Sequence, residues 1–227
     1  MLNIYYITKI CYNYFGDQMR LRNIRGASDV IEGCPYVIKN IEEFKGKYKS
    51  IFCNDNPIHI EIGMGKGNFI IGMAKKYPDI NFIGIEKFDS VLVRAIEKLE
   101  EDIPNLRFIR MDATDIENVF YKEVDTIYLN FSDPWPKNRH AHRRLTSNEF
   151  LKRYDKLFIN DKTIIMKTDN RKLFEYSIQM FNENNFRIDE ISLNLYEDDI
   201  KDNIPTEYEI KFSSQGYPIY MIKVSKD

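Results

Sequence analysis

Cysteine is scarce in this sequence: Cys11, Cys34 and Cys53 are the only three in 227 residues, and no two form a C-x-x-C pair. A disulfide framework needs dense cysteine pairs, and structural zinc needs Cys or His at short spacing. Neither is expected, and a reducing cytoplasm is the default compartment. Long apolar runs are missing too, since none approaches the roughly 20 residues that span a bilayer. Nor does one sign of charge dominate: 33 Lys and Arg stand against 35 Asp and Glu, for a net charge of −2 and a pI near 6.0. That balance gives no global attraction to a polyanion, so a nucleic-acid partner would have to be held by local charge. There is no internal repeat and no low-complexity linker, which points to one domain. Residues 1–18, MLNIYYITKICYNYFGDQ, lack a basic n-region and a clear cleavage site, so they do not read as a signal peptide. The expectation is that Met19 is the working initiator. Residues 1–25, with Arg20, Arg22 and Arg25, then form an extension and basic arm ahead of a single domain at 26–227.

What is present is the composition of a folded globular chain, 43% apolar, 30% charged and 14% aromatic. From Pro57 onward, short β-rich runs alternate with amphipathic segments of helix length, the pattern of a parallel sheet covered by helices on both faces. The predicted strands are Ile58 to Ile62, Phe82 to Ile85, Leu106 to Arg110, Thr126 to Phe131 and Thr163 to Lys167. Helices are predicted at Asn68 to Lys76, Ser90 to Glu101 and Leu173 to Asn184. The chain then reads strand (Arg187 to Tyr196), acidic loop (Glu197 to Asp202) and strand (Tyr217 to Val224), which suggests an antiparallel pair at one sheet edge.

The first strand runs into Glu61-Ile-Gly-Met-Gly-Lys-Gly67, a G-x-G-x-G turn opening a helix. Gly63, Gly65 and Gly67 would let a ligand approach backbone, although such a turn alone is equally a tight strand-to-helix connection. The next strand ends in Glu86, about 20 residues past the turn, where an acid holds both hydroxyls of a ribose. Asp112 follows the third strand and is placed to accept from an adenine amino group. Three acids, Glu61, Glu86 and Asp112, at the carboxyl ends of adjacent strands favour a cationic, nucleoside-like ligand over a pyrophosphate, and S-adenosylmethionine (SAM) fits. An NAD-dependent oxidoreductase is the competing enzyme reading; the missing G-x-x-G spacing argues against it.

The fourth strand leads into Ser132-Asp-Pro-Trp-Pro-Lys-Asn-Arg-His140, followed by Ala141-His-Arg-Arg-Leu-Thr146. Two prolines around the only tryptophan stiffen the backbone that carries Asp133. Lys137, Arg139, Arg143 and Arg144 with His140 and His142 form a local positive run suited to phosphates, or simply a solvated basic helix start.

This loop resembles the signature of the bacterial tRNA (guanine-N7-)-methyltransferase family, TrmB type. The similarity extends from Met19 through Pro57-Ile-His-Ile-Glu-Ile-Gly63, Lys167-Thr-Asp-Asn-Arg171 and Thr206-Glu-Tyr-Glu209 to the end. The resemblance implies a Rossmann-like class I SAM-dependent methyltransferase fold, with a mostly parallel seven-stranded sheet and an antiparallel edge pair. It also implies methyl transfer from SAM to a guanine of tRNA, expected at guanine-46 of the variable loop, leaving S-adenosylhomocysteine. By the same resemblance Glu61, Glu86, Asp112 and Asp133 belong to the cofactor site, Asp133 being also the catalytic residue. Lys137, Asp169 and Thr206, Glu207, Tyr208 and Glu209 belong to the substrate site. Arg139, His140, His142, Arg143 and Arg144 match the RNA-binding segment. His142 departs from the lysine common in the family, which bears on RNA affinity rather than chemistry. Asp169 and its neighbours also read as a helix N-cap, and Tyr208 as edge packing. The expected partners are tRNA and SAM, with no metal, no membrane and no obligatory protein partner, in a monomer or homodimer. A module that kept the fold for RNA binding alone is the other alternative; the intact acids argue against it.

Overall fold

A computed structural model of the protein describes residues 24–198, 200 and 203–227. The arm expected over residues 1–25 lies outside the described residues except for Ile24 and Arg25. Seven strands form one sheet: β1 Ile58–Ile62, β2 Asn81–Glu86, β3 Leu106–Arg110, β4 Val124–Asn130, β5 Phe158–Thr168, β6 Arg187–Ser192 and β7 Tyr220–Ser225. Their order is β3-β2-β1-β4-β5-β7-β6. The first five run parallel, and β7 inserts antiparallel between β5 and β6. Chain order reverses between β1 and β4, the place where open α/β sheets leave a ligand crevice at their carboxyl ends.

Strand alternation builds a core on each face. Ile58, Ile60 and Ile62 of β1, with Ile83, Ile85, Ile127, Leu129, Ile164 and Met166, face the side covered by Phe150, Tyr154, Leu173, Phe174 and Phe181. Phe82, Leu106, Phe108 and Tyr128 face the other side, under Phe69, Ile70, Leu92 and Val93. With both faces covered, the parallel strands hold few polar residues, and among these Glu61, Glu86, Asn130, Lys167 and Thr168 stand at or near the carboxyl ends.

The predicted β1, β3 and helix Asn68–Lys76 match the observed bounds. Other ends move for local reasons. The helix expected to Glu101 stops at Ile96. β6 stops at Ser192, where the chain turns and Leu193 faces solvent. β7 starts at Tyr220 instead of Tyr217, because the Tyr217 N–H donates to the Phe212 carbonyl at 3.1 Å in the turn closing a helix. That helix, Glu207–Ser213, is absent from the sequence expectation, although Thr206-x-x-Glu209 is a capping-box signal and both reciprocal bonds form. Helices Ala27–Gly33 and Asn148–Tyr154 were also unforeseen.

Gly67 is required by packing. It caps helix Asn68–Lys76 with φ 79°, and a Cβ there would lie 2.9 Å from the Ala95 Cβ and 3.2 Å from the Ile71 Cδ1. Gly67→Ala combines a left-handed penalty with overpacking, together about 2–4 kcal/mol. Thermal denaturation should show a Tm lower by about 5–15 °C; an unchanged Tm would show that Ala95 and Ile71 yield freely.

Candidate active site

Gly63 and Gly65 differ from Gly67. Both have positive φ, 77° and 58°, and a Cβ at either would meet nothing within 4 Å. Their backbone therefore lines open space at the end of β1, as a ligand-facing turn requires. Glu86, at the end of β2, is buried and accepts hydrogen bonds from the backbone N–H groups of Gly65 (3.1 Å), Lys87 (2.9 Å) and Phe88 (2.9 Å). Burial raises its pKa and those three N–H groups oppose the rise. Asp112 is half-buried beyond β3. Lys87 bonds one of its oxygens and Thr114 donates to the other through N–H and hydroxyl, each at 2.9 Å. The Lys87 bond leads in holding Asp112 down at about 2. Glu86 and Asp112 are brought side by side by the β2–β3 pairing, in which Met111 donates its N–H to the Glu86 carbonyl at 3.1 Å.

Glu61 is only 1% exposed. Its Oε1 accepts from the Asn130 side-chain amide at 2.8 Å, while its Oε2 and the Asn130 Oδ1 have no partner. Burial pushes its pKa up to about 8, against the Asn130 bond and the nearby Lys167 charge. Asn130 escaped the sequence reading because an Asn at a strand end carries no motif. Its role follows from the β1–β4 pairing alone.

The loop after β4 is held in a shape that few residues tolerate. Phe131 and Trp135, on either side of Asp133, have φ of 50° and 41°, left-handed values that cost a non-glycine residue about 1 kcal/mol or more each. Arg144 braces them: its guanidinium donates to the carbonyls of Pro134 and Trp135, both at 3.0 Å, and lies 4.2 Å from the Tyr176 ring centroid. Arg143 sits over the Trp135 ring at 4.9 Å, and His140 meets the same ring edge-on at 5.9 Å. Asp133, Lys137, Arg139 and His142 are left exposed. The charge of Asp133 adds to the upward shift of Glu86.

The residues expected at the substrate edge divide into two sets. Asn170, not Asp169, caps helix Arg171–Glu183, its side chain accepting from the Leu173 N–H at 2.9 Å; Asp169 stands half-buried at the end of β5. Thr206 caps helix Glu207–Ser213, Glu209 is fully buried on Lys167, and Glu207 pairs with Lys98. Tyr208 is 61% exposed, its ring stacked between those of Phe131 and Phe212. Phe88, equally exposed beside Glu86, is a further surface that sequence reasoning passed over. Among the described residues no group of acids, histidines and cysteines has the arrangement of a metal site, and no helix is long and apolar enough to cross a membrane.

The family described as a putative methyltransferase matches residues 55–222. A curated tRNA (guanine-N(7)-)-methyltransferase of Listeria monocytogenes is 52% identical over 212 residues, 92% of this chain and 99% of that protein. One of Lachnoclostridium phytofermentans is 51% identical over 207 residues, 90% and 97%. This chain belongs to the tRNA (guanine-N(7)-)-methyltransferase family. Solved methyltransferase structures share its fold: the 16S rRNA methyltransferase KamB aligns with TM-score 0.60 at 11% identity over 79% of this chain and 92% of that one. A SAM-dependent methyltransferase from Aquifex aeolicus aligns with TM-score 0.52 at 11% identity over 82% and 89%.

The crevice of this family member suits SAM by its own chemistry. Glu61 is a buried carboxylate with one unpartnered oxygen beside an unpartnered amide oxygen, a pair of acceptors that a cation bearing N–H donors satisfies. Glu86 and Asp112 present further carboxylates at the ends of β2 and β3, and the Gly63 and Gly65 turn leaves its backbone facing open space. Burial that pushes Glu61 up to about 8 leaves it largely protonated at pH 6.5, so holding a cation would require it to release that proton. SAM affinity should therefore climb between pH 6 and 8, by up to about tenfold per pH unit, and level off above. Calorimetric titration across that range tests this. The slope should be absent in Glu61→Gln, and a flat wild-type profile would show that Glu61 is already ionised.

Proposed function

We infer that this protein transfers a methyl group from SAM to N7 of a guanine in tRNA, forming 7-methylguanosine and S-adenosylhomocysteine in the cytoplasm. The observation that carries the reading is 52% identity along 99% of a curated relative's length, with the braced Asp133 loop opening beside the cofactor acids. Bound SAM supplies an electrophilic methyl on a sulfonium. Guanine N7 carries an unprotonated lone pair, so no general base is needed and the chain's task is alignment and charge. Asp133 is the residue for both. Its exposed carboxylate is suited to accept from guanine N1–H and N2–H₂, which orients the base and counters the positive charge that spreads over the purine after transfer. Phe88 offers its ring to the adenine beside Glu86. Lys137, Asp169 and the backbone and ring of Tyr208 frame the mouth in which the base sits. We place the target in the variable loop of tRNA, read by shape and phosphate with one base presented to the pocket. Lys137, Arg139, His142 and Arg143 face that RNA, whereas Arg144 serves it indirectly by holding the loop.

Labelled methyl transfer from SAM to total tRNA, followed by nucleoside separation, tests the reading: the label is expected in 7-methylguanosine, and label in another nucleoside would overturn the base assignment. In that assay Asp133→Asn should lower turnover by about 10²-fold or more while SAM affinity survives; wild-type turnover would remove Asp133 from the mechanism.

The two arginine roles separate by salt. Arg139→Ala should raise the tRNA KM and reduce the slope of log affinity against log salt by about 1, as loss of one phosphate contact does. Arg144→Lys should lower kcat and leave that slope intact. A lower slope for the Arg144 variant would make it a phosphate ligand instead of a brace.

A further inference from the structure

Lys167 is a buried cation that the chemistry above leaves unused. It is the penultimate residue of β5, in register with Asn130 of β4, and its side chain is 4% exposed against 0% for Glu209, its partner at 2.6 Å. Its ammonium also donates to the Asn203 Oδ1 at 3.0 Å and the Ile204 carbonyl at 3.1 Å, and lies 4.9 Å from the Phe69 ring centroid. Four contacts thus converge on one ammonium, three of them from the segment that leads into or belongs to helix Glu207–Ser213. Glu209 is tied in further by Asn203 and by the Tyr196 hydroxyl at 3.3 Å. On its other side Lys167 acts electrostatically on Glu61, as does Glu207 at the start of that helix.

Glu61, Asn130, Lys167 and Glu209 therefore form a buried polar line across the carboxyl ends of β1, β4 and β5 into the helix that carries Tyr208. Helix Glu207–Ser213 spans seven residues, too short to hold itself in place, and its exposed face carries Tyr208 and Ile210. Ordinary packing does not account for a charged anchor here. A buried ion pair is a poor source of stability compared with apolar residues of the same size, and its best-attested use is to specify one arrangement over its neighbours.

We propose that Lys167 is a positioning residue: by anchoring Glu209 it fixes helix Glu207–Ser213, and with it Tyr208 against Phe131, in register with the cofactor strand. The proposal rests on the tRNA methyl-transfer reading, which it deepens. Lys167 touches neither the base nor the methyl; it sets where the substrate edge stands relative to Glu61. The substrate-edge role of Glu209 is then indirect, exerted through Lys167 from a position with no solvent access.

Lys167→Met alone would strand the Glu209 charge in the interior and risks misfolding. The informative variant is Lys167→Met with Glu209→Gln. It removes one charge of each sign and leaves no unpaired ion in the interior, and Gln at the third helical position preserves the capping box. Full-length wild type and double variant are compared by Tm, S-adenosylhomocysteine affinity, tRNA kinetics and amide hydrogen exchange. We expect a Tm within a few degrees of wild type and cofactor affinity within about threefold. The kcat/KM for tRNA should fall at least about tenfold, and exchange should accelerate at least about tenfold in residues 207–213 alone. Wild-type tRNA kinetics in the double variant would overturn the proposal. A joint loss of Tm, cofactor affinity and tRNA kinetics would also overturn it, in favour of general scaffolding. Should the wild-type chain methylate no tRNA, the functional reading fails by itself, and the exchange comparison still decides: acceleration confined to 207–213 supports Lys167 as the anchor, and uniform or absent acceleration rejects it.

Discussion

The parallel pairing of β1 with β4 is the constraint on which the crevice depends. It sets Glu61 beside Tyr128 in register and brings Asn130 within hydrogen-bond reach of a carboxylate that is otherwise sealed in an apolar sheet. Burying an acid there is unfavourable, and burial pushes its pKa up to about 8. The fold tolerates the cost at a place where a positively charged ligand would offset it. Glu86 shows a different solution one strand away, where three backbone N–H groups converge on the carboxylate. Asp112, nearer solvent, is instead matched by the Lys87 ammonium. Three acids that look alike in the sequence are therefore held in three electrostatic states by depth and partner.

The reactive loop is the second place where unfavourable local structure is concentrated. Left-handed backbone at Phe131 and Trp135 persists because neighbouring groups hold it: the Arg144 guanidinium on two carbonyls, Arg143 and His140 on the indole, and the Phe131 N–H on the Lys167 carbonyl at 2.8 Å. The prolines restrict the loop, and the arginine clamp selects the one shape it keeps. Strain of this kind gathers where a side chain must be presented in a fixed pose, and the side chain presented here is Asp133. The basic run thereby divides its labour: Arg144, Arg143 and His140 pack on the loop, and Lys137, Arg139 and His142 stand in solvent.

The same division recurs at Thr206 to Glu209. Thr206 and Glu209 belong to a motif whose residue types suggest contact with a ligand, yet both side chains are spent inside the protein, on a helix cap and on Lys167. What the segment offers outward is Tyr208 and its backbone. A motif in sequence marks a place the fold needs for function; it does not say which of its side chains face the work.

The sequence by itself determined the sheet-and-helix alternation, the glycine turn, the three strand-end acids and the proline-bounded Asp133 loop. These are local patterns, periodicity and residue type at short spacing, and they need no knowledge of which strands become neighbours. Tertiary structure alone decided the rest. It placed β7 between β5 and β6, paired Asn130 with Glu61, directed Arg144 into the loop, and joined Lys167 to Glu209 across 42 residues of chain. Each of those depends on strand order or on burial, and the energy of a charged side chain is set by what surrounds it in space.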